Sequence, residues 1–177
     1  MENELLYIQQ TLQGNTSAFA HLVRLHKDRV YGLALRIVRS PQDAEELAQD
    51  VFVKAFENLH KFKGGSRLAT WLFKITYNTA ISFVRKKRLS TVALNEQVAS
   101  YDFSAEKSAR DKEEQLNKLE LALLQLNEKD RSIVALHYLN HHAVAEIAAI
   151  TGFSESSVKV KLHRARKKLQ DLMEKLI

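Results

Sequence analysis

The stretch Ala143–Lys159, AVAEIAAITGFSESSVK, has the layout of two short helices joined by a tight turn. Gly152 suits the left-handed backbone that such a turn requires. Ser154 is a good capping residue for the second helix. Val158 and Leu162 lie four residues apart, so they share the helix face that packs on the first helix. We therefore predict a helix-turn-helix motif here.

The second helix of this motif carries a dense run of positive charge. Six cations fall within ten residues of chain: Lys159, Lys161, Arg164, Arg166, Lys167 and Lys168. Such a density repels itself unless a polyanion relieves it, and DNA phosphates do so with release of counterions. A helix in this position presents its N-terminal side chains to the major groove. A solvated helical tail is the simpler alternative, but the turn, the cap and the basic face together favour duplex DNA as the partner.

Composition excludes several classes of protein. The 177 residues include 27 Lys and Arg against 21 Asp and Glu, a formal charge of +6, and a chain of this length forms one domain or two small ones. The lack of Cys excludes a disulfide scaffold, a thiolate zinc site and a cysteine nucleophile. No apolar run suits a signal peptide or a membrane span, so we expect a soluble, cytoplasmic protein without membrane insertion.

The periodicity of apolar residues, with only five Gly and one Pro, favours helices throughout. Ser40 and Pro41 are a helix start signal, and the Gly64–Gly65 pair indicates a loop. The periodicity fades between residues 89 and 112 and returns as a leucine stripe, after which Asn127 caps another helix. The sequence therefore predicts an all-α fold with two small helical domains, residues 1–90 and 113–177, joined by a flexible linker at 91–112.

Two helices of the first domain differ in chemistry. The helix after Pro41 has an acidic face with Lys54 as its lone cation: Asp43, Glu45, Glu46, Gln49, Asp50 and Glu57. Such a face suits a basic protein surface rather than DNA, although an ordinary solvated face is the simpler explanation. The helix from Arg67 to Arg88 is basic instead. One of its sides carries Lys74, Tyr77, Asn78, Ile81, Ser82 and Arg85.

That mixture on the basic helix suits unstacked bases. A Tyr77 ring can stack on a base, an Asn78 amide can bond a base edge, and Arg85 can hold a phosphate. Trp71 lies on the apolar side, and we expect it in the core rather than on a base.

Four segments in this order resemble one known family, the bacterial RNA polymerase sigma factors of the extracytoplasmic-function (ECF) group, in the short form with regions 2 and 4 only. The segments are DAEELAQDVFVKAF (Asp43–Phe56), ATWLFKITYNTAISFVRKKR (Ala69–Arg88), LNEKDRSIVALHYL (Leu126–Leu139) and EIAAITGFSESSVKVKLHRARKKL (Glu146–Leu169). The resemblance implies that residues 1–90 are region 2 and residues 113–177 are region 4. It also implies a promoter-specificity factor for RNA polymerase that is not an enzyme and has no cofactor, metal or small-molecule substrate.

The resemblance further implies roles for single residues. Docking on the clamp helices of the polymerase β′ subunit would involve Asp43, Glu46, Gln49 and Asp50. Capture of the melted −10 strand would involve a loop that receives a flipped base and the helix after it: Lys63, Gly64, Ser66, Arg67, Lys74, Tyr77, Asn78, Arg85, Lys86 and Arg88. Reading of the −35 duplex would involve Ser156, Lys159, Val160, His163, Arg164 and Arg166. The stripe Leu119–Leu126 would meet the flap of the β subunit, and relatives are commonly held inactive by an anti-sigma factor.

Two departures from the family pattern affect the −35 site. Val160 stands where many relatives have a small hydroxyl residue, and Ser156 stands where they have Gly. Val160 cannot hydrogen-bond a base edge, though it can touch a thymine methyl group. The −35 preference of relatives is therefore not transferable to this chain.

Two other function classes compete with this interpretation. A stand-alone helix-turn-helix regulator would explain the basic helix but not the acidic helix or the face with Tyr77 and Asn78. A metal sensor or metalloenzyme would use His137, His141 and His142, of which the first two are four residues apart. That set has no Cys nearby, and the break at Asn140 disturbs its helical register.

Overall fold

The computed structural model describes residues 2–92 and 122–175, and it is helical without strands in that part of the chain. The helices are α1 (Glu2–Leu12), α2 (Thr16–Val38), α3 (Pro41–Glu57), α4 (Leu68–Val92), α5 (Glu128–Val134), α6 (Val144–Thr151) and α7 (Glu155–Lys175). A 3₁₀ turn at Leu59–Lys61 follows α3, and a wide π-type turn at Ala135–Leu139 follows α5. Most of the predicted linker and the start of the leucine stripe, up to residue 121, lie outside the described residues.

Helices α1–α4 form the N-terminal lobe around a set of apolar side chains that we call the inner cluster. Its buried members are Ile8, Leu22, Val30, Val51, Phe52, Ala55, Leu59, Leu68 and Leu72. The start signal predicted between α2 and α3 is confirmed, because the Ser40 hydroxyl accepts a hydrogen bond from the Asp43 amide at 3.2 Å. Arg39, with a positive φ of 61°, ends α2 in the left-handed conformation. The lobe therefore has a continuous apolar interior with a tight turn between its two central helices.

Helices α5–α7 form the C-terminal lobe, and the predicted helix-turn-helix is confirmed in it. Asn127 caps α5, since its side-chain oxygen accepts from the Asp130 amide at 2.9 Å. Gly152 ends α6 with a φ of 78°, a conformation that a residue with a Cβ rarely adopts. Ser154 accepts from the Ser157 amide at 3.2 Å and so caps α7. Helix α6 is thereby joined to α7, the basic helix, by the three-residue turn 152–154.

The two lobes pack against each other through a second apolar set, which we call the lobe contact. The N-terminal lobe contributes Leu33, Ala34, Ile37, Ala44, Leu47, Phe73, Tyr77 and Ala80, and the C-terminal lobe contributes Ile133, Leu136, Ile147, Ile150, Val158 and Leu162. Helix α6 lies on α4, and α5 lies on α2. The sequence predicted two domains on a tether and did not predict this packing, because an apolar stripe indicates burial without indicating the element that covers it.

Two polar side chains are buried at the lobe contact. Arg131, only 4% exposed, reaches the Ile37 carbonyl at 3.5 Å, while its Nε and Nη1 atoms have no hydrogen-bond partner. Burial lowers the pKa of Arg131 to about 10, and the charge of nearby Arg39 adds to that effect. The ring of His142 meets the ring of Phe73 edge-on at 5.2 Å, and its Nε2 atom is also buried without a partner. Each buried polar atom without a partner costs about 1–3 kcal/mol, so the lobe contact is mainly apolar but incompletely hydrogen-bonded.

Candidate polymerase and nucleic-acid interfaces

Helix α7 presents a basic face to solvent. Val158, Leu162 and Ala165 are buried against the rest of the lobe, and the opposite side of the helix is exposed. All six residues predicted to face the −35 element are exposed: Ser156, Lys159, Val160, His163, Arg164 and Arg166. Because the buried residues recur at spacings of three and four, the basic side chains are held on the outside of the motif.

Three of the cations on α7 have partners within their own lobe. The Lys161 ammonium lies 3.0 Å from an Asp130 carboxylate oxygen, and the Lys168 ammonium donates to the Gln125 carbonyl at 2.7 Å. Arg166 donates to the Tyr138 hydroxyl, and its guanidinium lies 5.5 Å from the centre of that ring. These contacts fix both flanks of α7, so the charge predicted from the sequence is partly structural.

A groove of about 250 Å³ lies between α7 and the wide turn after α5. Its lining residues are His137, Val144, Lys159, Leu162, His163 and Arg166. Three of them belong to the predicted −35 set, and His137 is a residue that the sequence reasoning considered only as a metal ligand. The His137 Nδ1 atom lies 3.2 Å from the His142 carbonyl oxygen, a contact that orients the ring.

The predicted −10 set divides into exposed residues and one buried residue. The loop before α4 is exposed and has a positive φ of 71° at Gly64, and the polar and charged members of the set on α4 are exposed too: Lys74, Asn78, Arg85, Lys86 and Arg88. Tyr77 differs from the expectation, because its ring is buried at the lobe contact, 4% exposed. It lies one turn after Phe73 and therefore faces the C-terminal lobe rather than solvent. Burial raises the pKa of Tyr77 to about 12, with a smaller effect from Asp130.

Trp71 is half-buried beside the glycine loop. Its ring packs against Phe62 with 5.5 Å between centroids and covers the edge of the inner cluster, so the predicted core contact is confirmed. The ring is nevertheless not fully enclosed. Trp71 precedes Asn78 by seven residues, or about two helical turns, which places both residues on neighbouring parts of the same side of α4. The seven-residue spacing between Trp71 and Asn78 is a sequence signal from which this placement could have been predicted.

Helix α3 presents the predicted acidic face. Glu46, Gln49 and Asp50 are exposed, whereas Asp43 is half-buried and lies 2.8 Å from the Lys87 ammonium. Val53 was missed by the sequence reasoning: it follows Glu46 by seven residues on the same face, and it is 56% exposed. The face therefore consists of acidic and polar residues around one exposed apolar side chain.

Of the three histidines considered as metal ligands, His137 and His142 make local contacts. Within residues 2–92 and 122–175, no group of three or more His, Cys, Asp or Glu residues is placed to hold a metal ion. The His142 Nδ1 atom lies 3.2 Å from a Glu146 carboxylate oxygen, which also accepts from the Ala143 amide at 3.0 Å. That amide hydrogen bond is the main reason that the pKa of Glu146 is lowered.

The described helices include none that is long and apolar enough to span a bilayer.

Comparisons with known proteins agree over nearly the whole chain. Residues 22–90 match Sigma-70 region 2, and residues 116–169 match Sigma-70 region 4. The ECF RNA polymerase sigma factor SigW of Bacillus subtilis (strain 168) is 30% identical over 96% of each chain. RNA polymerase sigma factor YlaC of the same organism is 31% identical over 87% of this chain and 91% of its own.

Solved structures agree with this assignment. The sigma factor RpoE of Bartonella quintana, crystallised with the anti-sigma factor NepR, has a TM-score of 0.75 and 26% identity over 88% of this chain and 96% of its own. CnrH, solved with the cytosolic domain of CnrY, has the same fold, with a TM-score of 0.70 over 96% of each chain and 24% identity. The chain therefore belongs to the ECF group of RNA polymerase sigma factors, the proteins that give transcription initiation its promoter specificity.

Proposed function

We propose that this sigma factor binds core RNA polymerase through α3 and promoter DNA through α4 and α7, and that it performs no chemistry of its own. The observation that carries the proposal is the opposite charge of two exposed helix faces, acidic on α3 and basic on α7. An acidic face repels DNA phosphates and attracts a basic protein surface, whereas a basic face does the reverse. One chain thus has separate faces for a protein and for a polyanion, as expected of a factor that acts in the cytoplasm between polymerase and promoter.

Helix α7 is the proposed reader of the −35 duplex. Lys159 and Arg164 are exposed cations without a side-chain partner among the described residues, and each can reach a phosphate or a guanine edge. Val160, 48% exposed, offers a methyl contact to thymine. The contacts that Lys161, Lys168 and Arg166 make within their own lobe restrict the movement of α7. This restriction favours a single position of the helix on the duplex.

The loop before α4 and the exposed side of α4 are the proposed binding site for the separated −10 strand. Flipping a base out of its stack costs a few kcal/mol, which contacts in the site must recover. Asn78 supplies an amide for a base edge, and Arg85, Lys86 and Arg88 supply charges for phosphates. Trp71 is the aromatic ring beside this surface, while Tyr77 is enclosed at the lobe contact.

The two lobes must separate for both promoter elements to be bound at once. Elements named −35 and −10 are about 25 base pairs apart, or about 85 Å along B-form DNA at about 3.4 Å per base pair. A compact chain of this length is only about 40 Å across. The packed arrangement at the lobe contact is therefore a state that precedes promoter binding. On the polymerase, two weakly binding lobes act at high effective concentration, so neither needs to bind tightly alone.

Other partners follow from the family. The β flap is proposed to meet the stripe Leu119–Leu126, of which residues 122–126 are described, and domain limits of 1–90, 91–112 and 113–177 are proposed for region 2, linker and region 4. An anti-sigma factor is proposed as an inhibitor, because RpoE of Bartonella quintana is a relative in overall fold and was crystallised with one.

Transcription with purified core polymerase tests the proposal. A promoter is first selected from a randomised DNA library by the reconstituted enzyme, and run-off RNA is then measured. Asn78→Ala should slow open-complex formation while core binding is unchanged, and Arg164→Ala should weaken −35 binding by about 1–3 kcal/mol. Arg29→Ala, which removes an exposed arginine on α2, is the control and should change neither. If the chain yields no promoter-specific RNA with core polymerase, a stand-alone regulator is the better description.

A further inference from the structure

We infer that the ion pair between Asp43 on α3 and Lys87 on α4 positions the basic end of α4 for the −10 strand, and that Lys87 itself does not contact a phosphate. The inference rests on the proposed function, in which α3 binds polymerase and α4 binds the separated strand. It gives Lys87 a role as a positioning residue, and it moves Asp43 from the polymerase contacts implied by the sequence to the support of the −10 site.

The pair joins the first turn of α3 to the end of α4. The Lys87 ammonium lies 2.8 Å from an Asp43 carboxylate oxygen and 5.7 Å from the centre of the Phe83 ring. The Asp43 backbone amide donates to the Ser40 hydroxyl, so the residue that holds Lys87 is itself fixed at the start of its helix. The Asp43 side chain is only 18% exposed. A basic polymerase surface therefore has little access to this carboxylate.

The end of α4 needs such a contact because its side chains are exposed. Among the described side chains, Phe83 and Val84 are the last of the helix to pack against the lobe contact, and residues 85–89 are all exposed. Helix ends of this kind fray unless other contacts restrain them. Lys87 follows Phe83 by about one turn, so its pair with Asp43 extends the contact between α3 and α4 into the exposed part.

Lys87 lies on the opposite side of α4 from the proposed DNA contacts. Arg85 follows Asn78 by seven residues, or about two full turns, which places the two on one side of the helix. Lys87 follows Asn78 by nine residues, or about two and a half turns, and it faces α3. The run Arg85–Arg88 reads as four equivalent cations in the sequence, whereas in the structure Lys87 can act on the strand only through the position of the helix.

A second polar contact lies on the same flank of α3. The Lys54 ammonium donates to the Thr79 hydroxyl at 3.3 Å. Asp43 and Lys54 are eleven residues apart, or about three turns, and their partners Lys87 and Thr79 follow in reverse order along α4. The two helices are therefore antiparallel with a polar contact near each end of the flank. The contact made by Asp43 is the one next to the cations proposed to hold phosphates.

The rate of promoter opening by the reconstituted polymerase tests the inference. Lys87→Gln and Asp43→Asn should each slow open-complex formation about two- to fivefold, the range that a partly exposed ion pair can supply. The double variant should be no slower than either single variant, because both residues act through one contact. Lys87→Arg should restore the wild-type rate, since its guanidinium can pair with Asp43.

The salt dependence of single-strand binding by the same enzyme separates positioning from phosphate contact. Each phosphate that a protein neutralises on a single strand contributes about −0.7 to the slope of log K against log salt concentration. With an oligonucleotide of the selected −10 sequence, Lys87→Gln should keep the wild-type slope. Arg85→Gln is the matched control on the side of Asn78, and its slope should become shallower by about 0.7.

Three results would overturn the inference. The first is that the losses of the single variants multiply in the double variant, which would give Asp43 and Lys87 separate partners. The second is that neither single variant slows opening, and the third is that Lys87→Gln flattens the salt slope as much as Arg85→Gln does. In all three cases the wild-type enzyme would still make promoter-specific RNA, so the proposed function would stand. Circular dichroism checks that each variant keeps its helices.

Discussion

The inner cluster and the lobe contact are both apolar and both buried, but they differ in their polar residues. Around the inner cluster the buried polar side chains are mostly satisfied: Thr11 and Thr76 donate to the Tyr7 and Leu72 carbonyls, and His26 lies 2.8 Å from a Glu4 carboxylate oxygen. The lobe contact encloses Arg131 and His142, whose polar atoms are only partly satisfied. Of the four buried side-chain nitrogen and oxygen atoms without a partner in the described ranges, three belong to these two residues and one belongs to Thr70. The difference indicates one core that is permanent and one that is suited to open.

The free-energy changes expected on opening the lobe contact and the inner cluster agree with that division. Separation of the lobes exposes apolar side chains such as Phe73 and Ile147, which is unfavourable. The same step returns the Arg131 guanidinium and the His142 ring to water, which is favourable because two guanidinium nitrogens and the His142 Nε2 atom have no hydrogen-bond partner when buried. Opening of the inner cluster would return to water only the Thr70 hydroxyl among such atoms in the described residues, so the compensation is smaller and the opening amounts to unfolding of the lobe.

The largest expected effect is on the inner cluster. Leu22, 1% exposed, packs at its centre, and Leu22→Ala should lower the free energy of unfolding by about 2–5 kcal/mol, because the cavity left behind adds to the lost burial. Denaturant unfolding of the full chain measures the change. Leu25→Ala on the same helix is the control: Leu25 is 55% exposed, and its loss should cost less than about 0.5 kcal/mol. Equal losses in the two variants would contradict the assignment of Leu22 to the core.

The next effect is on the lobe contact. Arg131→Met replaces a buried, poorly paired charge by an apolar side chain of similar length, a change that is often stabilising by about 1–4 kcal/mol. The packed state should therefore gain population, and core polymerase should bind more slowly. Because the chain has no Cys, labels at Asp28→Cys and Asp171→Cys can report the distance between the lobes by energy transfer.

Arg29→Met removes an exposed arginine of α2 and should leave both the distance and the binding rate unchanged. A longer distance between the lobes in Arg131→Met would mean that Arg131 holds the lobes together, and the contrast between the two apolar sets would then be wrong.

The smallest expected effects are local and equal in the two lobes. Ser40 and Asn127 cap α3 and α5 through hydrogen bonds of 3.2 Å and 2.9 Å to backbone amides. Ser40→Ala and Asn127→Ala should each cost about 1 kcal/mol, measured as a shift in thermal unfolding, and the corresponding Gly variants should cost only a few tenths. A much larger loss at Asn127 would show that the C-terminal lobe depends on local order more than its apolar contacts indicate.

Features set by neighbouring residues could be predicted from the sequence. Gly152, Ser154, Val158 and Leu162 specify the helix-turn-helix within eleven residues of chain, and all four adopt the predicted roles. The cap at Asn127 and the loop at Gly64 follow from the same local rules. In each case one residue type satisfies a backbone requirement of its immediate surroundings, so no knowledge of distant contacts was needed.

Features set by distant residues could not be predicted in this way. Tyr77 has a polar tip and basic neighbours in the sequence, and nothing in that local pattern indicates that its ring is buried in the same cluster as Ile147 and Ile150. The wide turn at Ala135–Leu139 likewise brings His137 close to Lys159 on α7, although the two residues are more than twenty positions apart in the sequence. Periodicity tells which face of a helix is buried, whereas its partner depends on the whole fold.

Trp71 gives the molecule a built-in optical probe. It is the single tryptophan of the chain, and it sits half-exposed between Phe62 and the loop proposed to receive a base. Indole fluorescence responds to solvent and is quenched by a stacked base, so emission from unlabelled protein reports events at that one place. Binding of single-stranded DNA at this loop can thus be followed through the tryptophan fluorescence, without attaching a dye. Duplex binding on α7 takes place elsewhere and can be measured separately.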